Sequence, residues 1–559
     1  MRPALLSLLL VAMSASRSFA GSAADTSFPV TISVDAAKPI GELKPLWRFF
    51  GADEPNYAYM KDGRKLLGQL GELRPGAVYF RAHNLLTTGD GTPALKWGST
   101  NAYTEDAQGR PVYDWTILDR IFDTYRASGV RPYVEIGFMP KALSPEPEPY
   151  QHSWKNGVPS KLNTGWAYPP KDYAKWGELV FQWVTHCIAR YGRAEVEQWY
   201  WEVWNEANYP AYWNGTPEAF LKTHDYAIDA VRRALPTARV GGPDTAGPGG
   251  RFMQDYLDHA VHGTNFATGR TGTPVDFISF HAKGQPAFVD GHVRMGIAAQ
   301  LKNIDDGFAL IAAVPEMKSK PVIIGESDPD GCAACRGPQL GYRNGTMYAS
   351  YTAASIAREY ELADRHGVNL EGALTWAFTF EDQPYFAGFR QLASNGLPLP
   401  VLNVFRLLAK MGGQRVATMS SNAVPLDAMI RDGVRGAPDV AALASVEPRR
   451  LTILLWHYHD DDLPGPDAAI ALNLVGLGTN LSGAKLTHYR IDQSHSNAFT
   501  AWQRMGAPPA PTAGQYADLE KAGALATTTT PALQTDGAGH ASLELTLPRQ
   551  AVSLLVLEW

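Results

Sequence analysis

WYWEVWNEANY, residues 199–209, decides the fold. Its first half is an aromatic and apolar run with the β-branched Val203, which predicts a buried strand. Its second half sets Asn205 and Glu206 where that strand should end. A buried parallel strand that delivers Asn-Glu to its C-terminal end is a catalytic placement in a (β/α)8 barrel. Downstream, KPVIIGESD (320–328) is a second short apolar strand, ending in Glu326. Two glutamates on two strand ends, 120 residues apart, point to paired-carboxylate chemistry of the kind that hydrolyses glycosidic bonds.

The pattern repeats outward from that stretch. Strand-like runs centre near residues 47, 78, 133, 201, 240, 277, 322 and 373. Helical periodicity separates them over 61–73, 113–128, 172–191, 217–235, 251–262, 291–314 and 346–366, and closes the series at 401–411. Eight β-then-α units predict an α/β fold, a (β/α)8 TIM barrel over 46–411. A doubly wound sheet would place phosphate-binding glycines after its first strand, and neither GxGxxG nor GxxxxGK[ST] occurs there. Beyond 412 the reading changes to short alternating strands (451–458, 468–474, 485–491, 542–547 and 551–559) between Pro-, Gly- and Thr-rich turns. That predicts a C-terminal β-sandwich over 412–559, with loops at 507–512 and 527–530. The alternating run 28–34, within the segment 21–45, is expected to join it.

The chain has 559 residues, more than one hydrophobic core accommodates. A net charge of −6 argues against a nucleic-acid or anionic-membrane partner. Met1-Arg2, the apolar run 4–13 and Ser18-Phe19-Ala20 form a secretory signal over 1–20. The expectation is therefore an exported, periplasmic or extracellular protein, with no membrane span in the mature chain. Nothing in the sequence reports oligomeric state. Cys187 reads as a small core residue. Cys332 and Cys335 lack the further ligands of a zinc site and the context of a redox motif, so a local disulfide is the better reading, given export.

Cleavage of a glycosidic bond needs a proton for the leaving oxygen and a carboxylate for the oxocarbenium charge. Glu206 suits the proton donor, with Trp201, Trp204, Ala207 and Tyr209 expected to desolvate it and raise its pKa. Asn205 suits a hydrogen bond to the sugar's 2-hydroxyl, and Glu326 suits the nucleophile. By itself an Asn-Glu dipeptide says little, since a surface carboxylate or a buried salt bridge reads the same way. The second glutamate on a second strand end carries the argument. Glu202 and Glu135 read as structural, the latter paired with a barrel Arg or Lys. His457, His459 and Asp460 to Asp462 read as a solvated or domain-contacting loop. No metal or cofactor is expected.

Eight stretches carry a resemblance: WRFFGADEPN (47–56), YFRAHNLLTTGDG (79–91), YVEIGFMPKAL (133–143), YWEVWNEAN (200–208), FISFHAKG (277–284), VIIGESD (322–328), YHDDDLPGPDA (458–468) and THYRIDQSHSNA (487–498). Together they resemble glycoside hydrolase family 39, which contains β-xylosidases and α-L-iduronidases. The resemblance implies a barrel with a β-sandwich and a mechanism that retains anomeric configuration. By position it implies Glu206 as acid/base, Glu326 as nucleophile, and Asn205, His83, His281 and Trp376 as contacts of the innermost sugar. Where many xylosidases of the family have a tyrosine two residues after the histidine matching His281, this chain has Lys283. HAKG is similar to the iduronidase branch, where a lysine there binds the sugar's carboxylate, as a point charge can. The bland alternative pairs Lys283 with Glu381 or Asp382, which follow Trp376 and are expected to enter the same cleft.

The expectation is an exported retaining β-1,4-xylosidase acting on xylo-oligosaccharides, with α-L-arabinosides, one hydroxyl different, as second candidates. An exo mode turns on whether loops such as 138–170, rich in rings (Trp154, Trp166, Tyr168), close the cleft. The alternatives are a uronic-acid-directed glycosidase using Lys283 and a non-catalytic carbohydrate-binding barrel. The intact glutamates argue against the last.

Overall fold

The computed structural model describes residues 27–559 apart from 152–153, 156–162, 377, 479–480, 482 and 537. The signal-like segment 1–20 and part of the loop 138–170 therefore lie outside the described residues. The apolar runs form strands β1 (Phe28–Glu42), β2 (Phe49–Ala52), β3 (Val78–Ala82), β4 (Val130–Ile136), β5 (Tyr200–Val203), β6 (Arg239–Thr245), β7 (Phe277–Lys283), β8 (Pro321–Asp328), β9 (Asn369–Ala373) and β10 (Thr375–Trp376). From β2 to β9 each strand pairs in parallel with the next, and β10 pairs back onto β2 through Thr375 with Phe50 and Trp376 with Gly51. Leu374 alone separates β9 from β10, and its backbone bonds Ile324 and Ser327 of β8. The nine strands thus make a nearly closed barrel sheet. Helices that include Lys61–Leu73, Thr116–Ala127, Tyr173–Tyr191, Pro217–Ala234, Ile297–Ala312 and Thr346–His366 alternate with them.

The two-residue period of a strand stacks the barrel interior in layers. The lowest is an aromatic plug of Phe49, Tyr79, Tyr133, Tyr200 and Phe277, capped by Trp376. Two residues further along the same strands come Arg81, Glu135, Glu202 and Ser279, all buried. Two residues beyond Arg81 and Ser279 come His83 and His281, at the C-terminal mouth. The residues that begin each strand thus set which side chains reach the site.

After 412 the strands are β11 (Gln414–Ser420), β12 (Asp439–Glu447), β13 (Arg450–Tyr458), β14 (Ala468–Val475), β15 (Lys485–Ile491), β16 (Ala541–Leu547) and β17 (Val552–Glu558). They run in the order β15-β17-β13-β12-β11-β1-β14-β16, with two-residue strands at both edges. β1 lies antiparallel to β11 and parallel to β14. The two layers expected of a sandwich are therefore one hydrogen-bonded ten-stranded sheet, joined through the strand that enters the barrel. Its strands enclose an apolar cluster that includes Ile32, Ile453, Ile470 and Leu555.

Several local expectations change. DVAALASVE (β12) is a strand although its alanines carry little β-propensity. Ala498–Arg504 and Ala513–Gly523 are helices in a region read as strands and loops, the second started by a Thr512–Gln515 capping box. At the start of the stretch 291–314, read as helical, a hairpin of Ala287–Val289 and His292–Arg294, turning at Gly291, runs ahead of the helix Ile297–Ala312. That hairpin meets the 457–462 loop, where Arg294 Nε donates to Asp461 at 2.6 Å and Met295 N to the Asp460 carbonyl at 2.7 Å. The loop with the histidines and aspartates thus contacts the barrel. Among the described residues no helix is long and apolar enough to cross a membrane.

Candidate active site

One guanidinium organises the charged layer. Arg81 Nε lies 2.7 Å from Glu202, and its Nη2 lies 2.8 Å from Glu135 and pairs with Asp244. Tyr133 Oη and Ser279 Oγ donate to the other Glu202 oxygen at 2.7 and 2.5 Å. Burial pushes the Glu202 carboxyl up to about 7, with the charge of Asp244 adding and that of Arg81 opposing. Every polar group of this layer is removed from water, so its hydrogen bonds hold the strands in one register. Glu202 and Glu135 are part of this scaffold.

The backbone aims Glu206 into the mouth. After β5 ends, Trp204 (φ 73°) and Glu206 (φ 48°) take left-handed conformations that non-glycine residues adopt at a cost. The Glu206 amide donates to the Asp244 carbonyl at 2.9 Å, which fixes the turn. Its carboxylate lies 2.8 Å from His281 Nδ1. The indoles read as its desolvating wall are engaged elsewhere. Trp201 packs on Trp183 and Trp199 on the helix side of β5, Trp204 packs on Phe138 and Trp213, and Tyr209 is half exposed. A β-strand sends alternate side chains outward, so position 201 cannot face the same way as 202.

His281 links the two glutamates. Its Nε2 lies 2.7 Å from Asp244, and its Nδ1 lies 2.8 Å from Glu206 and 3.8 Å from Glu326. Burial pulls its pKa down, but the charges of Asp244 and Glu326 and the hydrogen bonds to Asp244 and Glu206 carry it up to about 10. At neutral pH it is an imidazolium that donates from both nitrogens. Glu326 also meets Lys283 Nζ at 2.7 Å, His83 Nε2 at 3.6 Å and Arg81 Nη1 at 3.8 Å. Burial pushes Glu326 up, yet the cations around it, His281 and Lys283 foremost, hold it well below the usual carboxylate range. Glu326 is therefore ionised.

His83 is the neutral partner. Burial, then the nearby Arg81, hold it well below its usual value, and its Nδ1 shares a 2.5 Å hydrogen bond with Glu135, whose carboxyl burial raises. The Trp376 ring lies 4.3 Å from the His83 ring, and the Arg81 guanidinium lies 5.3 Å from the Trp376 centroid. Two glycines make room for this. A Cβ on Gly51 would come 2.4 Å from the Trp376 indole, and one on Gly325 would come 1.9 Å from Asp244 Oδ1. Asn205 is buried and accepts from Arg81 Nη2 at 3.4 Å.

Of the expected site residues, Glu206, Glu326, Asn205, His83, His281, Lys283 and Trp376 thus meet at one mouth. Glu381 and Asp382 are not brought to Lys283. Glu381 accepts from the Gly63 amide at 2.7 Å at the start of the Lys61–Leu73 helix, and Asp382 is exposed. Lys283 pairs instead with Glu326 and, at 2.6 Å, with Asp328. Both lie on the adjacent strand β8, where Lys283 stands in register with Asp328.

The sequence reading missed Arg81, Asp244, Asp328 and Tyr212. Arg81 was available from period two, being two residues before His83. Asp244 lies near the end of β6, past the centre of the strand-like run near 240. Tyr212 follows Glu206 in a loop, stacks on Phe138 at 6.0 Å and lies 6.4 Å from His83. Burial, then the charge of Glu206, hold its phenol protonated well above its usual range. Next to the mouth, Trp97, Trp154, Trp166, Lys96 and Gln151 line a cavity of about 700 Å³.

The sequence matches the family described as Glycosyl hydrolases family 39 over residues 30–539. It is 25% identical over 504 residues to a β-xylosidase of Caldicellulosiruptor saccharolyticus, covering 88% of this chain and 91% of that one. It is 26% identical over 525 residues to an α-L-iduronidase of Mus musculus, covering 87% and 75%. The fold is similar to the crystal structure of the GH39 enzyme from Xanthomonas axonopodis pv. citri, with a TM-score of 0.71, 23% identity, and 96% and 99% of the two chains covered.

Proposed function

The chain belongs to glycosyl hydrolases family 39, and from that premise we propose that it is a retaining exo-β-1,4-xylosidase of the exported class, built on a (β/α)8 barrel. One observation carries the mechanism: Glu206 and Glu326 approach the same imidazolium nitrogen, at 2.8 and 3.8 Å. Their nearest oxygens are no farther apart than those two contacts laid end to end. That span includes the roughly 5–5.5 Å of a retaining pair and barely reaches the roughly 6.5 Å where inverting pairs begin.

In the first step a Glu326 oxygen attacks the anomeric carbon, the glycosidic C–O bond breaks, and the Glu206 proton passes to the leaving oxygen. In the second, water attacks the anomeric carbon, Glu206 takes its proton, and the ester bond to Glu326 breaks. Lys283 and His281 keep the nucleophile ionised before attack. Neutralising Glu326 as the ester leaves the imidazolium to Asp244 and Glu206, which favours the Glu206 carboxylate that must then act as base. Asn205 is the donor for the 2-hydroxyl, and Trp376 covers an apolar sugar face. Export rests on the composition of residues 1–20.

The neutral-sugar reading is supported by Lys283, whose ammonium already serves two of the protein's own carboxylates. One observation favours a second reading. The same ammonium lies beside the nucleophile with its side chain 16% exposed, where a uronate could reach it. Hydrolysis of matched aryl β-xyloside, α-L-arabinoside and α-L-iduronide separates them. Turnover of the xyloside without the iduronide is expected, and the reverse result would overturn the pentosidase assignment.

A further inference from the structure

Behind the sugar-facing residues lies a second ionic cluster. Asp328 Oδ2 holds Lys283 at 2.6 Å, while its Oδ1 accepts from Arg390 Nη1 at 2.8 Å and from the Trp376 amide at 3.0 Å. The same Arg390 Nη1 donates to the Trp376 carbonyl. One ion pair therefore grips both backbone polar groups of Trp376 and the ammonium that faces Glu326. Asp328 and Arg390 are essentially inaccessible to solvent. Burying such a pair is costly and is weak evidence for stability alone.

The pair is anchored in turn. The Arg390 amide donates to the Ala333 carbonyl at 2.8 Å, and Ala333 lies inside the loop closed by the Cys332–Cys335 disulfide. Arg343 reads that loop from the other side. It donates to the carbonyls of Cys332 at 2.7 Å and Cys335 at 2.6 Å and holds Asp330 at 2.8 Å. Asp330 approaches Arg390 Nε at 3.6 Å. The charges alternate without a gap from Lys283 through Asp328, Arg390 and Asp330 to Arg343.

We propose that Asp328, backed by Arg390 and the disulfide loop, is a positioning residue that fixes Lys283 against Glu326. The proposal rests on the glycosidase reading above and adds a residue that touches no substrate. Asp328 works through Lys283, so the two substitutions should not add.

The test is a double-mutant cycle of Asp328→Asn and Lys283→Met, read as kcat/KM on whichever aryl glycoside the wild type hydrolyses. Misplacement of catalytic groups costs up to roughly 100-fold, so D328N is expected to lose about 10- to 100-fold in the wild-type background and less than about threefold in K283M. A merely structural aspartate would lower both backgrounds equally, and additive losses overturn the proposal. A second measurement tests the anchor. Reducing the disulfide in the folded wild type is expected to lower kcat/KM while sparing residual D328N activity, and unchanged wild-type activity after verified reduction removes the anchor from the proposal. Failure of the glycosidase reading is distinguishable, because then the wild type turns over none of the glycosides.

Discussion

Replacing His281 by glutamine should remove a specific pH dependence from the stability of the barrel. The imidazole is fully buried, and its pKa is carried from an ordinary 6.5 to about 10 by Asp244, Glu326 and Glu206. At about 1.36 kcal/mol per pH unit, that shift corresponds to at most roughly 4–5 kcal/mol favouring the folded state. The folded value is raised, so the contribution is fully present below about pH 6.5, the unfolded pKa, and is lost as pH rises towards about 10. The assay is urea unfolding followed by tryptophan fluorescence, for wild type and H281Q, at about pH 6 and about pH 10. Lysines and tyrosines titrate in both proteins, so the difference between the two losses isolates His281. H281Q should be the less stable protein at about pH 6, by a few kcal/mol, and the gap should close towards about pH 10. Equal losses in both proteins would refute the imidazolium bridge, and with it the account of how Glu326 is kept ionised.

Glu326→Ala should lose on the order of 10⁴-fold or more in turnover of any aryl glycoside, because Glu326 is the group that forms the ester; full turnover would remove the nucleophile assignment. Glu206→Ala should leave glycosylation by substrates with activated leaving groups nearly intact and slow deglycosylation by roughly 10²- to 10⁴-fold, with azide restoring the rate. Loss of neither step, with no effect of azide, would take the acid/base role from Glu206. Gly325→Ala places a methyl 1.9 Å from Asp244 Oδ1. Overpacking of this kind costs about 1–3 kcal/mol, and the displaced Asp244 should carry His281 with it, so melting temperature and kcat/KM should fall together. An alanine variant with unchanged activity would show that Asp244 is not needed where it stands.

Periodicity in the sequence places the barrel strands and the side chains that alternate along them. Apolar runs of strand length, each followed by helical periodicity, predict parallel strands, and the two-residue period then carries Tyr79 to Arg81 to His83 and Phe277 to Ser279 to His281. Glu206 and Glu326 were legible because two glutamates closing two buried strands point together to paired-carboxylate chemistry. Tertiary structure alone decided which groups pair. Lys283 chose Glu326 and Asp328 over Glu381 because strand register sets Asp328 beside it, whereas Glu381 is drawn to the free amide of Gly63 at a helix start. His281 joins Glu206, Asp244 and Glu326 across three other strands or strand ends. Local periodicity fixes which face a side chain is on. The partner it finds there depends on stagger and distance between segments far apart in the chain, and these exist only once the sheet has closed.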